Sequence, residues 1–274
     1  MPTVDENIVL WQDPTQWTEG GEQWSGGWGG SEAQWHGTIL PRITRFLPTG
    51  TILEIAPGHG RWTEYLRRHC ERLVLVDLSE ECIEACRARF AGDDRISFHV
   101  NDGSSLPMLD DASIDFVFSF DSLVHVEADV MRRYVSEFSR VLRPNGAGFV
   151  HHSNAGEYRR YFQAPAFLPA RVREVLCDVH VIEHAQWRAL SMTAASFRQY
   201  CEASGLRCIS QELVNWSTKR LIDGISTFTP ESSTWASPTR VVRNGGFMDE
   251  AKAVRRRSPL YGSSSRGDQP AASA

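Results

Sequence analysis

The first stretch whose residue types could do chemistry is LEIAPGHGRW, residues 53–62. Gly58 and Gly60 lie two positions apart there, directly after an apolar run that indicates a buried strand. Glycines in such a turn let the backbone adopt unusual dihedral angles and let a ligand approach without meeting a Cβ atom. The turn is therefore a candidate ligand loop, and the rest of the sequence has to indicate which ligand.

Acidic side chains accompany this turn and the ends of the next two apolar runs. Asp77 closes LVLVDLS, and Asp102 follows in VNDGSSLP; each alone could equally be a helix cap or a solvated turn residue. Glu54 lies within an apolar run, where an unpaired carboxylate is costly. We expect Glu54 to orient the loop through backbone N–H groups or to reach a ligand through a water.

From residue 51 the chain alternates apolar runs with amphipathic ones. The spacing predicts helices over 61–69, 79–90 and 127–142. Apolar strands separated by helices indicate a parallel sheet that is covered on both faces, so the predicted class is α/β with a doubly wound, Rossmann-like sheet. Such sheets bind ligands at the carboxyl ends of their strands, and the first strand-to-helix turn usually holds the cofactor.

These motifs together resemble those of the class I S-adenosylmethionine-dependent methyltransferases, whose first motif is E/D-x-G-x-G-x-G. Here the motif is E-x-A-x-G-x-G, with Ala56 at the first glycine position, and Thr63 stands where a dinucleotide fingerprint has its third glycine. The resemblance covers most of residues 50–155, including DASIDFVFSFDSLVHV and RVLRPNGAGFV. It implies a seven-stranded sheet, mostly parallel with an antiparallel last strand, and S-adenosylmethionine as the cofactor.

The resemblance also implies roles for single residues. Asp77 matches the acid that binds the ribose hydroxyls, for which a carboxylate offers two acceptor oxygens. Asp102 matches the acid near the adenine amino group, with Gly103 beside it. The expected cofactor-binding set is Glu54, Ala56, Gly58, Gly60, Asp77, Leu78, Asp102, Gly103 and Asp121.

Candidate catalytic residues follow the fourth and fifth predicted strands. Methyl transfer from a sulfonium requires an aligned acceptor and, for a hydroxyl of high pKa, a base. Neighbouring strand residues point to opposite faces, so at most one of His151 and His152 should face the pocket. We expect His152 to be the base, although a histidine bonded into the sheet rim is an equal alternative. Asp121 could orient it, act itself or cap a helix, and His125 could be catalytic or pack in the core.

A metal is a further alternative, because some sugar O-methyltransferases of this superfamily use Mg²⁺. Asp121, Asp102 and Asn154 could supply the oxygen ligands that a hard cation prefers. No dense acidic motif indicates such a site, so the sequence leaves Mg²⁺ as an open alternative.

Four tryptophans lie in the Gly-rich N-terminal arm, residues 1–30: Trp11, Trp17, Trp24 and Trp28. Disordered linkers rarely contain so many indoles, so the arm should either be pinned to the domain surface or form a lid over a substrate. Residues 31–257 form the predicted methyltransferase domain. It opens with one helix that bends near Pro41 and carries an inserted cap at about 155–192, and a loose tail follows at 258–274.

Composition limits the partners. The formal net charge is -5, so no basic field attracts a phosphate backbone, and the fourth-strand motif lacks the N/D-P-P-Y/F pattern of enzymes that methylate nucleic-acid amino groups. Six cysteines without a CxxC pair and an N-terminus without a signal pattern favour a cytoplasmic protein with reduced thiols. We expect no nucleic-acid or membrane partner and a monomer or homodimer.

The most detailed expectation from the sequence concerns the chemical class of the methyl acceptor. Aromatic residues mixed with Arg, Gln and Asn suit a polyhydroxylated ligand, and the chain is similar to bacterial saccharide O-methyltransferases, including those of methylmannose polysaccharides. Predicted substrate contacts are Trp24, Trp28, His151, Asn154 and Tyr158. The alternatives are a nitrogen, carbon or phenol acceptor on another metabolite and, in a different class, an NAD-type dehydrogenase or a nonenzymatic nucleotide-binding module.

Overall fold

The computed structural model describes residues 3–167, 169, 171, 183 and 185–261. Eight strands within this part of the chain form one sheet: β1 Thr49–Ile55, β2 Cys70–Asp77, β3 Ile96–Val100, β4 Ile114–Ser119, β5 Leu142–Ser153, β6 Leu206–Val214, β7 Asp223–Pro230 and β8 Arg240–Asn244. Their order is β3-β2-β1-β4-β5-β7-β6-β8. The chain therefore has the predicted doubly wound α/β sheet, in which β1 to β5 are parallel.

The end of the sheet differs from the prediction of seven strands with a reversed last one. The reversed strand is β7, which pairs antiparallel with β5 and β6, whereas the last strand, β8, is parallel to β6. The sequence does not predict β8, because it is an exposed edge strand of five residues. Its Val241 and Val242 are 47% and 42% exposed, so the segment has no buried apolar face and no regular alternation.

Helices cover both faces of the sheet. Their bounds are α1 Val4–Gln12, α2 Ser31–Gln34, α3 Leu40–Ile43, α4 Thr63–Leu66, α5 Glu80–Arg89, α6 Ala128–Val141, α7 Arg159–Gln163, α8 Ala194–Ala203 and α9 Phe247–Tyr261. Helices α4, α5 and α6 lie within the three predicted helices. A π-helical turn, Trp35–Ile39, joins α2 to α3, so the predicted irregularity lies one turn before Pro41.

Two apolar clusters hold these layers together. On one face, side chains of α4, α5 and α9 pack with Trp35 and Ile39 against alternate strand residues such as Phe116 and Phe118. On the other face, α6 and α8 pack against residues such as Val117. Alternation along β4 therefore divides its side chains between the two clusters, and the carboxyl ends of the strands remain for a site.

Parts of the predicted additions lie outside the described residues. In the predicted cap these are residues 168, 170, 172–182 and 184, whereas α7 and the adjoining 3-10 turns are described. At the C-terminus α9 continues to Tyr261, so it includes the first four residues of the predicted tail; residues 262–274 lie outside the described part. In the described part of the chain no helix has the length and apolarity needed to span a membrane.

Candidate active site

A cavity of about 460 Å³ opens at the carboxyl ends of β1, β2 and β4. This volume is in the range of small-molecule sites. Its walls come from the turns after those strands, the N-terminal arm, residues 186–188 and Trp216. It lies where the topology of a doubly wound sheet predicts a ligand, because the strand order reverses between β1 and β4.

The turn after β1 forms the floor of this cavity. Ala56 has φ +55° and Gly58 has φ +58°, both in the left-handed region that favours glycine. Ala56 thus adopts a conformation that favours glycine although it carries a Cβ, and it lines the cavity with Pro57 and Gly58. Gly60 faces the ring of Phe90 instead, where a Cβ would not fit, so it serves packing rather than the cavity.

Gly58→Ala is expected to destabilise the fold. A left-handed conformation costs an alanine about 1–2 kcal/mol, and the added Cβ would overlap the Trp17 ring. We expect a corresponding loss in the free energy of unfolding, measured by urea denaturation. Trp17→Ala removes the obstructing ring, so the double variant should be less destabilised than the sum of the single variants. Simple additivity would show that Trp17 does not pack on Gly58.

Asp77 ends β2 with its carboxylate on the cavity wall. Oδ1 accepts a hydrogen bond from the Ser79 N–H at 2.9 Å and Oδ2 accepts one from the Gly58 N–H at 3.2 Å. Burial raises the pKa of Asp77 to about 6, and these backbone donors oppose the rise. Two N–H groups thus fix a carboxylate that offers further lone pairs to the cavity beside Leu78.

Glu54 is buried within β1 and does not line the cavity. Its Oε2 accepts a hydrogen bond from the Thr63 hydroxyl at 2.6 Å, so it ties the strand to α4 across the loop. The predicted loop-orienting role therefore runs through a side-chain hydroxyl rather than through backbone N–H groups. Burial raises the pKa of Glu54 from 4.5 to about 8.

This raised pKa predicts a pH-dependent contribution to stability. The folded protein binds the Glu54 proton more tightly than the unfolded chain, so the contribution is full below about pH 4.5 and is lost as the pH rises through 8. Glu54→Gln stays neutral and still accepts from Thr63. We expect the free energy of unfolding of the wild type, measured by urea denaturation, to fall relative to that of this variant as the pH rises from 5 to 8. If the free energies of unfolding of the two proteins change in parallel with pH, the raised pKa of Glu54 is contradicted.

The structure does not support the expected contact of Asp102 with the cavity. Its carboxylate accepts hydrogen bonds from the backbone and hydroxyl groups of Ser104 and Ser105 at 2.7–3.2 Å, which makes it a turn cap outside the cavity wall. Burial would raise the pKa of Asp102, but these donors outweigh it and leave the pKa lowered. Gly103 and Leu78, which the resemblance implies as cofactor-binding residues, line the cavity.

Asp121 lies just after β4, which β1 separates from β2 and Asp77 in the sheet. Its Oδ2 accepts a hydrogen bond from Arg61 at 2.8 Å, and its backbone has φ +69°. Arg61 also donates to the Ser25 hydroxyl at 3.1 Å and packs over the Trp62 ring, so it links Asp121 to the arm.

His125 lines the cavity one turn after Asp121. Its Nδ1 lies 3.0 Å from the carbonyl oxygen of Trp187. A carbonyl only accepts, so Nδ1 carries the proton of the neutral ring and Nε2 keeps a lone pair. Burial and the Arg188 charge lower the pKa of His125, which favours this neutral form at pH 7.

His152 does not reach the cavity, which corrects the expectation that it is the general base. Its ring stacks on Phe197 at 4.4 Å, with Nε2 2.8 Å from the Ser226 hydroxyl and Nδ1 2.9 Å from the Ser153 carbonyl. Burial lowers its pKa to about 4. The alternation along β5 turns His151 toward the cavity side instead, behind Phe120 and Trp216.

Of the other four predicted substrate-binding residues, only one lines the cavity. Trp24 lines the cavity. Trp28 is instead buried in the core, where its indole N–H donates a hydrogen bond to the Thr38 hydroxyl. Asn154 is also structural, because its amide binds the Leu221 carbonyl and the Ala194 N–H, each at 2.8 Å. Tyr158 closes a 3-10 turn away from the cavity.

The side chains considered for Mg²⁺ are not brought together. Asp121 pairs with Arg61, Asp102 caps its own turn, and Asn154 is held in the core. Among residues 3–167, 169, 171, 183 and 185–261, no group of three or more His, Cys, Asp or Glu side chains is arranged to hold a metal ion.

The sequence motifs do not identify several wall residues: Arg61, Trp62, Trp187, Arg188 and Trp216. Arg61 and Trp62 directly follow the glycine loop, and this adjacency is a signal in the sequence for their place in the wall. Residues 186–188 and Trp216 carry no motif, and only the folded chain brings them to the cavity.

Comparison with known proteins agrees with this geometry. Residues 52–146 match the family model described as a methyltransferase domain. A demethylmenaquinone methyltransferase of Clavibacter sepedonicus is 37% identical over 95 residues, 35% of this chain and 38% of the relative. A phthiotriol/phenolphthiotriol dimycocerosates methyltransferase of Mycobacterium tuberculosis is 36% identical over 103 residues, 35% of this chain and 34% of the relative. The matches thus span little more than a third of these curated relatives.

A solved structure extends the likeness of fold over more of the chain. The DhpI–SAH complex superposes with a TM-score of 0.53 over 84% of this chain and 97% of that chain, at 16% identity. Residues 52–146, which include the glycine turn and Asp77, thus match a methyltransferase domain in sequence, and the wider chain shares the fold of a solved methyl-donor-product complex.

Proposed function

We propose that this protein transfers a methyl group from S-adenosylmethionine to a hydroxyl of a small, polyhydroxylated acceptor. The observation that carries the proposal is the cavity beside the glycine turn, whose wall brings together the fixed Asp77 carboxylate, His125 and Asp121. In that arrangement Asp77 would bind the ribose hydroxyls, and Gly58, Leu78 and Gly103 would contact the rest of the nucleoside. S-adenosylmethionine supplies an activated methyl group on its sulfonium.

His125 is the base that we propose in place of His152. Its Nε2 lone pair belongs to a neutral ring on the cavity wall, so it can accept the acceptor's hydroxyl proton as the methyl group is transferred. The arm contributes Trp11, Trp17 and Trp24 to the walls and so excludes water from the reaction.

The chemistry of the rest of the cavity wall favours a sugar as the acceptor. Trp24, Trp62 and Trp216 give this wall apolar surface, and Arg61 and Asp121 bring a charged donor and a charged acceptor to it. A sugar has both apolar ring faces and directed hydroxyls, so it uses both kinds of wall.

The experiment is a transfer assay with methyl-labelled S-adenosylmethionine on panels of mono- and oligosaccharides, phenols and amines. Labelled product from the saccharide panel supports the proposal, and transfer to phenols or amines alone overturns the acceptor class. Binding of S-adenosylhomocysteine should raise the melting temperature, whereas NAD should not. A shift with NAD alone would favour the dehydrogenase alternative.

A further inference from the structure

A buried carboxylate lies behind the cavity wall, that of Asp223 at the start of β7. Its Oδ1 accepts from Nε of Arg188 at 3.1 Å and its Oδ2 from Nη2 at 2.9 Å, a two-pronged pair of matched planar groups. Burial would raise the pKa of Asp223, but the Arg188 charge outweighs it and holds the pKa well below its usual range. The pair is therefore ionised while it is almost fully enclosed.

Arg188 ends a turn with an unfavourable backbone. Gln186 has φ +50° and Trp187 has φ +62°, although neither is glycine. Backbone conformations of this kind are unfavourable for residues other than glycine and persist only where the surroundings enforce them. Arg188 supplies such a restraint, because it is anchored on Asp223 and also donates from Nη1 to the Gln186 carbonyl at 3.0 Å.

This turn presents the Trp187 carbonyl to His125 at 3.0 Å. That contact determines which ring nitrogen of His125 carries the proton, so it also determines which nitrogen can act as a base. The charged groups that bear on His125 are Arg188, Asp121 and Asp223, and none of them accepts its Nδ1 proton in the carbonyl's place.

We propose that Asp223 and Arg188 are positioning residues that fix the tautomer of His125: they hold the 186–188 turn, so that the Trp187 carbonyl keeps the ring proton on Nδ1 and leaves Nε2 for the acceptor. This inference rests on the proposed role of His125 as the base. It assigns a function to a buried ion pair on elements that lie outside the glycine turn and outside residues 52–146.

The same carboxylate also contacts the other side of the wall. Oδ2 of Asp223 lies 3.3 Å from Nε2 of His151, whose Nδ1 accepts from the Asp121 N–H at 3.2 Å. His151 therefore carries its proton on Nε2, facing Asp223, and it supports Asp121 in its left-handed conformation. Asp223 therefore lies within ion-pair distance of both Arg188 and His151, the residues behind the two polar groups that we place beside the acceptor.

The direct test is the tautomer of His125 in Arg188→Lys. Lysine keeps the charge but lacks the planar fork, so the turn should relax and the Trp187 carbonyl should leave Nδ1. Ring ¹⁵N shifts of histidine-labelled protein distinguish the two tautomers, and His125→Gln identifies the signals. We expect the Nδ1–H form in the wild type and a substantial Nε2–H population in Arg188→Lys. An unchanged Nδ1–H form would overturn the proposal.

Arg42→Lys is the matched control. Arg42 makes a similar two-pronged pair with Glu212, both bonds at 2.7 Å, but neither residue lines the cavity. The Arg42→Lys variant should leave the His125 signals unchanged. If the tautomer of His125 changes in this control as well, the specific role of Asp223 and Arg188 is overturned. If Arg188→Lys does not fold, Asp223→Asn, which keeps the shape of the side chain, gives the same readout.

Activity provides the second readout. Arg188→Lys should lower kcat for methyl transfer by about ten-fold or more, with the KM for S-adenosylmethionine nearly unchanged, because a misoriented base slows the proton transfer. A rise in this KM with kcat unchanged would contradict positioning. The tautomer experiment needs no acceptor, so failure of the wild type to bind S-adenosylhomocysteine would refute the proposed function and leave this measurement interpretable.

Discussion

Asp77→Ala should abolish detectable binding of S-adenosylhomocysteine at concentrations that saturate the wild type. Two hydrogen bonds from ribose hydroxyls to a carboxylate contribute about 1.5–3 kcal/mol each, so their loss weakens binding by roughly 10²–10⁴-fold. Isothermal titration calorimetry measures the change. The substitution also frees the Gly58 and Ser79 N–H groups that Asp77 holds, which adds disorder to the turn.

Asp77→Asn separates the loss of the hydrogen bonds to the ribose from the loss of the hydrogen bonds that hold the turn. Asparagine keeps one acceptor oxygen and the shape of the side chain, so its affinity should lie between those of the wild type and Asp77→Ala. Because the pKa of Asp77 is raised to about 6, wild-type affinity should also weaken as the pH falls below about 6 and the carboxylate is protonated. Unaltered affinity in Asp77→Ala would remove the ribose assignment.

The second large effect is expected at His125. His125→Gln should lower kcat by about 10²–10⁴-fold, the usual contribution of a general base, and leave the affinity for S-adenosylhomocysteine within a few-fold of the wild type. Steady-state kinetics with calorimetry of the same sample measures both quantities. The loss must be in kcat, because the proton is transferred during the chemical step.

His152→Gln is the control for this prediction. The His152 ring stacks on Phe197 in the core, so the variant should be less stable but should keep most of its kcat at a temperature where it is folded. If His152→Gln loses kcat as severely as His125→Gln while both remain folded, the identification of His125 as the base fails.

The residues that could be predicted from the sequence are those fixed by local pattern. Strands with continuous apolar runs, the left-handed turn at Gly58 and the acid at the end of β2 each depend on a few neighbouring residues, and the structure places them as expected. β8 could not be predicted in the same way. Two exposed valines form a strand only because the edge of β6 is available for pairing.

The errors at the site have a common physical origin. His151 and His152 differ only in which face of β5 they occupy, and the sequence does not reveal which face borders the cavity. Asp102 matches a motif position, yet the serines that follow it offer closer donors and turn its carboxylate away. Arg188 and Asp223 meet across 35 residues, so no local pattern could pair them.

The most direct test of the account is a crystal structure of the protein with S-adenosylhomocysteine. We predict the ligand in the cavity at the carboxyl ends of β1, β2 and β4, with both ribose hydroxyls on the Asp77 carboxylate and the nucleoside beside Leu78 and Gly103. A ligand bound elsewhere, or an Asp77 carboxylate without contact to the ribose, would contradict it.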